Sequence, residues 1–88
     1  MTMKPYTEEK KNDYILREFS EDMDSRELVW HRDRKDRVVI PEQCDGWMLQ
    51  LDNEPPVELE KNRAIFIKAE TFHRLHKGNG KLVVKIYE

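Results

Sequence analysis

Three side chains of this sequence, His31, Asp33 and His73, are of types that do chemistry, and strands could bring them to one place. His31 and Asp33 stand two residues apart. In an extended segment that spacing puts both on one face, roughly 6.5–7 Å apart at the backbone, from where they can converge on one point. His73 follows a short apolar run, 65–67, and a second tight connection, so it opens a later strand and can point into the same pocket. Arg37 is the complication. Its guanidinium never deprotonates, and it either turns inward to pair with Asp33 or faces out, leaving Asp36 as the inward carboxylate.

Other chemistries fit less well. His31-Arg32-Asp33 spells the catalytic-loop triplet of protein kinases, but the asparagine needed five residues after the aspartate is Val38 here, and the chain is far too short. The charge-dense run 31–37 could touch phosphate, yet Asp33 and Asp36 interrupt it, and it reads as a solvated hairpin tip. Cys44 could be a nucleophile beside His31 or His73, but its place before the Asp45-Gly46 turn reads as an incidental thiol. His76 alternates out of phase with His73 and is expected to face solvent.

The elements that must position these residues are short strands. They are expected at 14–19 (a helix is the rival, since Ile15, Phe19 and Met23 fall four apart), 27–33, 37–41 ending at Pro41, 47–51, 57–59, 64–67, 72–76 and 81–87. Turn signals separate them, the strongest being Gly78-Asn79-Gly80. About eight short strands with frequent turns predict an all-β sandwich or barrel. Residues 1–12 are expected to be a flexible tail and 13–88 the folded domain.

The chain has 88 residues, enough for one domain with a small core. Apolar residues make up 38% and charged residues 39%, which fits a thin-cored domain with a heavily solvated exterior. The formal charge is 16 − 18 = −2, which argues against a surface built to neutralise nucleic-acid phosphates. A single cysteine excludes an intramolecular disulfide and fits a reducing compartment. With no apolar run of membrane-spanning length and no signal-peptide pattern, the expected location is the cytoplasm, away from membranes.

The stretch from Trp30 to Tyr87 resembles the cupin family, small β-barrels of the jelly-roll type. The family's second motif is a glycine, five residues, proline, one residue, glycine, two residues, histidine. Asn62, Lys68, Glu70 and His73 stand at those four positions, so only the histidine matches by type. The first motif is two histidines separated by one residue, a glutamate three or four residues later, and a closing glycine. Here His31, Asp33, Arg37 and Cys44 stand in those places. Asp45-Gly46-Trp47, Ile65-Phe66-Ile67 and Leu82-Val83-Val84 are softer points of likeness.

The resemblance implies a small cupin-type jelly-roll β-barrel with a polar pocket. In metal-binding cupins the motif residues hold one divalent ion. Carried to matching positions, this implies His31, Asp33 and His73 as ligands, the two-histidine, one-carboxylate set of open-site non-haem iron centres, with manganese, nickel and zinc also compatible. Arg37, at the glutamate position, would then clamp an anionic group of a small polar substrate, with Trp47 and Gln50 as wall residues. Oxygen-dependent cleavage or isomerisation is the reaction class the likeness suggests. The alternative is a metal-free binding or interaction module with an Asp33–Arg37 pair in place of the ion. Leu28, Trp30, Trp47 and Phe72 offer more apolar surface than one small barrel can bury, and with the family's habit of pairing through strands they point to a homodimer.

Overall fold

The computed structural model describes residues 5–88 and contains eight strands and one short 3₁₀ turn. The strands are β1 (Tyr6–Lys10), β2 (Ile15–Phe19), β3 (Arg37–Gln43), β4 (Met48–Leu51), β5 (Val57–Glu58), β6 (Ile65–Ile67), β7 (His73–His76) and β8 (Leu82–Tyr87), with the 3₁₀ turn at Ser25–Glu27. They form a five-stranded sheet, β1-β2-β8-β3-β6, and a three-stranded sheet, β5-β4-β7, and every pairing is antiparallel. The fold is all-β, as the turn spacing predicts. Among the described residues no helix is long and apolar enough to cross a membrane.

Strand β8 is the axis of the larger sheet. It lies between β2 and β3, and Leu82, Val83, Val84 and Ile86 are all buried. A near-continuous β-branched run suits a strand flanked on both edges and covered on its inner face. The inner faces of the two sheets share one core, in which Phe19, Leu82, Val84, Ile86 and Ile67 from the large sheet meet Leu49 of β4, with Trp47 and Leu59. Trp47 is fully buried, and its indole N–H donates to the Gly80 carbonyl at 3.2 Å, so its one polar atom is satisfied.

Three details depart from expectation, and one rivalry is settled in favour of the expected strand. Residues 1–4 of the expected tail lie outside the described residues, but Tyr6–Lys10 is β1, held by antiparallel pairing from Tyr6↔Phe19 to Lys10↔Ile15. Cross-strand pairing and the Tyr6–Phe19 ring contact supply what the polar composition conceals. Residues 15–19 are strand and not helix, because β8 offers them a complete antiparallel partner. Pro41 does not end β3; the strand runs on to Gln43 through a register shift between Pro41 and Gln43, where a bulge tolerates the missing N–H. The expected strand 27–33 is mostly irregular, beginning in the 3₁₀ turn and pairing its backbone with a sheet only at the isolated bridge His31↔His73 among the described residues.

Candidate functional site

That bridge builds the site. His31 N–H donates to the His73 carbonyl at 3.0 Å and His73 N–H donates back to the His31 carbonyl at 2.8 Å. A mutual pair of this kind fixes two residues side by side, and the imidazoles meet edge to face with centroids 4.2 Å apart. Two further bonds tie the segment to the β6–β7 connection: Glu70 N–H to the Asp33 carbonyl at 2.7 Å, and Ala69 N–H to Asp36 Oδ1 at 2.8 Å. Asp36 therefore caps a turn, and Asp33 is the carboxylate that faces inward.

The turns before β6 and β7 have the backbone that glycine would serve in the resembled motif. Asn62 and Glu70, at the two glycine positions, both adopt left-handed backbone, with φ of +66° each. Such angles are uncommon for residues other than glycine. The sharp chain reversals are therefore made here without glycine.

Each imidazole is held in one tautomer. His31 Nδ1 lies 3.0 Å from the Val29 carbonyl and His73 Nδ1 lies 2.8 Å from the Thr71 carbonyl. A carbonyl only accepts, so both Nδ1 atoms carry the hydrogen, and Nε2 is left with the lone pair in the neutral ring. Hydrogen bonds of this kind orient metal-ligating histidines. His73 is buried, and burial is the largest influence on it, holding the imidazole below the usual histidine range; the Thr71 carbonyl acts in the opposite direction.

His73 Nε2 faces Asp33 Oδ2 at 3.4 Å, and Arg37 Nη1 stands 3.4 Å from the same oxygen. That oxygen is buried, yet it makes no hydrogen bond to any described residue. One donor atom from each of His31, Asp33 and His73 lies within 4.8 Å of the others. Two donors about 2.1 Å from a tetrahedral ion stand about 3.4 Å apart, so the His73–Asp33 spacing fits a shared divalent cation. The donor chemistry fits as well: two neutral ring nitrogens and one buried carboxylate oxygen that makes no hydrogen bond.

Arg37 turns inward, as the Asp33 pairing requires, but it is more firmly held elsewhere. Its Nε and Nη2 both lie 2.9 Å from Glu88 Oε2, which offsets its charge toward a nearby cation. Glu88 is a site residue that sequence reasoning does not find, because it stands 51 residues from Arg37 and only the β3–β8 pairing makes them neighbours.

A cavity of about 300 Å³ opens onto this group, and His31, Asp33, Arg37 and His73 all line it. Trp47 and Gln50, expected as wall residues, do not. Trp47 is core, and Gln50 faces the other side of β4, where its Oε1 accepts from Arg74 Nε and His76 Nε2. Strand alternation separates them from the site: Leu49 points to the interior and Gln50 away. His76 lies on that opposite face too, half-buried against Gln50. Cys44 is buried, with Sγ 3.4 Å from the Leu59 carbonyl, and it does not line the cavity. Burial, above all, raises its thiol pKa.

No protein-family profile matches the sequence, and no curated protein matches it either. Solved structures do match the fold. A structure of the DMSP lyases RdDddP and RnDddQII superposes with a TM-score of 0.70 at 15% identity over 83% of this chain, which spans only 35% of that one. A cupin domain from Bordetella pertussis gives 0.59 at 16% identity, over 99% of this chain and 97% of the other. An RmlC-like cupin family protein with a double-stranded β-helix fold from Methanocaldococcus jannaschii gives 0.62 at 14%, over 96% and 79%. At these identities the likeness speaks for architecture alone, and the architecture is the jelly-roll, double-stranded β-helix fold that those cupin structures share.

Proposed function

We propose that this protein binds one divalent metal ion through His31, Asp33 and His73 and acts there on a small molecule bearing an anionic group. The observation that carries this reading is the pair of lone pairs facing each other. With Nδ1 committed to the Thr71 carbonyl, Nε2 of neutral His73 has no hydrogen to give, and 3.4 Å away the buried Asp33 Oδ2 makes no hydrogen bond, Arg37 Nη1 approaching it only to 3.4 Å as an ion pair. Two such atoms repel unless a cation lies between them, and burial disfavours a proton on His73 as that cation. When bound, a divalent ion would polarise a coordinated oxygen of the substrate as a Lewis acid. His31 and His73 keep their ring orientation through the Val29 and Thr71 carbonyls, and Arg37, braced by Glu88, keeps positive charge beside Asp33. That a fold neighbour is a lyase, DMSP lyase, is in keeping with small-molecule chemistry in such a pocket. A reducing compartment, the cytoplasm, is where we place the protein, on its single buried thiol.

The approach of Arg37 Nη1 to Asp33 favours a second reading, a metal-free pocket in which the guanidinium stands in for the ion. Plasma mass spectrometry of untagged protein purified without chelator separates the two. We expect near one iron, manganese, nickel or zinc per chain, lost in His73→Ala with the circular dichroism spectrum retained. Wild-type protein that is empty and refuses all four added metals establishes the second reading instead.

A further inference from the structure

The cavity is lined mostly by apolar side chains. His31, Asp33, Arg37 and His73 gather where the 28–33 segment meets the starts of β3 and β7, while half-buried Leu28, Val39 and Leu75 give apolar surface to the same lining, backed by core residues such as Leu49 and Leu82. One other cation, Arg17, reaches the wall, but Glu8 binds its Nε at 2.8 Å and it stacks over the Tyr6 ring at 4.0 Å. Arg37 is likewise held by Glu88. Neither arginine is free to receive a ligand's charge, so an anionic group is drawn to the His31–Asp33–His73 end and the rest of the ligand meets hydrocarbon.

From this geometry, and resting on the metal reading above, we infer that the ligand is an amphipathic monoanion: a carboxylate head at the histidine end and an apolar body in the leucine-lined interior. The Arg37–Glu88 and Arg17–Glu8 pairs each cancel and Glu27, the other acid of the lining, is solvent-exposed, so a divalent ion held by Asp33 and two neutral histidines leaves 2 − 1 = +1 at the centre, which one carboxylate balances. Size bounds the body. An apolar cavity of about 150 Å³ accommodates benzene, so about 300 Å³ accommodates roughly twice as many atoms, about twelve non-hydrogen atoms in all. A medium-chain or aromatic acid fits; a sugar does not, because its hydroxyls would find no partners among leucines.

The test is calorimetric titration of wild-type protein, its metal content measured on the same sample, with octanoate, acetate and 1-octanol. Each buried methylene contributes about fourfold in affinity, so octanoate is expected to bind at least about a hundredfold more tightly than acetate. It is also expected to bind at least about tenfold more tightly than octanol, an advantage that chelation removes. Leu75→Phe, which narrows the interior, should weaken octanoate and leave acetate unchanged; if that variant does not fold, the wild-type series decides alone. Octanoate no tighter than acetate overturns the apolar body. Octanoate no tighter than octanol overturns the anionic head. If the protein takes up no metal yet keeps both preferences, the ligand class stands and the metal reading falls.

Discussion

His73 carries the most testable chemistry at the scale of single residues. Its neighbours are known on every side: the Thr71 carbonyl on Nδ1, Asp33 and Arg37 beyond Nε2, and the His31 ring at its edge. Burial disfavours its charged form, so the unfolded chain binds a proton at this residue more readily than the folded one. Stability therefore rises with pH across this titration. For the metal-free protein this group adds no pH dependence above the ordinary histidine value of 6.5, and stability falls as the pH drops from there through the lower folded value. Urea unfolding of chelated protein at about pH 7.5 and about pH 5 should show the loss, and His73→Gln should remove this component of it. An equal loss in the variant would place the titration elsewhere.

The elements are joined by turns whose residues are chosen for reasons the structure makes plain, and Gly78 is the clearest. A Cβ there would stand 2.3 Å from the Trp47 nitrogen and 2.4 Å from the Asp45 carbonyl oxygen, both backbone atoms that cannot swing away. The close approach locks the turn before β8 onto the turn before β4, beneath the Asn79 N–H to Asp45 carbonyl bond. Gly80 has open space around it but a left-handed φ of +68°. Gly78→Ala is expected to cost about 3 kcal/mol or more and Gly80→Ala about 1 kcal/mol, read from denaturant midpoints. Equal costs would show that the turn yields and that the packing is looser than the distances imply. The sequence marks Gly78-Asn79-Gly80 as a turn, but it does not distinguish the glycine needed for space from the one needed for its backbone angle.

Across the whole molecule, the apolar surface is only partly accounted for. Trp47, one of the side chains that suggests a partner, is fully buried, and Leu28 is half-buried against the core. Trp30 and Phe72 are exposed, though Arg74 stacks over the one and Arg32 over the other, and Val29, Val57 and Phe66 are exposed as well. So much exposed aromatic and aliphatic surface on a chain of 88 residues supports our proposal of a homodimer. Sedimentation at tens of micromolar should give twice the 10.7 kDa chain mass, and a monomer at that concentration defeats it.

Much of this was readable in the chain. The fold class followed from short β-branched runs cut by turn residues, because strand periodicity and turn chemistry are local properties. The convergence of His31 and Asp33 was legible for the same reason: a spacing of two in extended backbone needs no other information. What lay beyond reach was set by pairing. Tyr6–Lys10 is a strand only because β2 is there to bond it, and 28–33 fails to be one because its sheet partner is a single residue, His73. Glu88 joins the site through β3–β8 register, and Gln50 leaves it through the alternation of β4. Asp33 was a candidate from its type and spacing; that its Oδ2 is buried without a hydrogen bond is a property of the assembled interior. Local chemistry wrote the strands and the candidate donors, and long-range pairing, which no local pattern encodes, decided which of them meet.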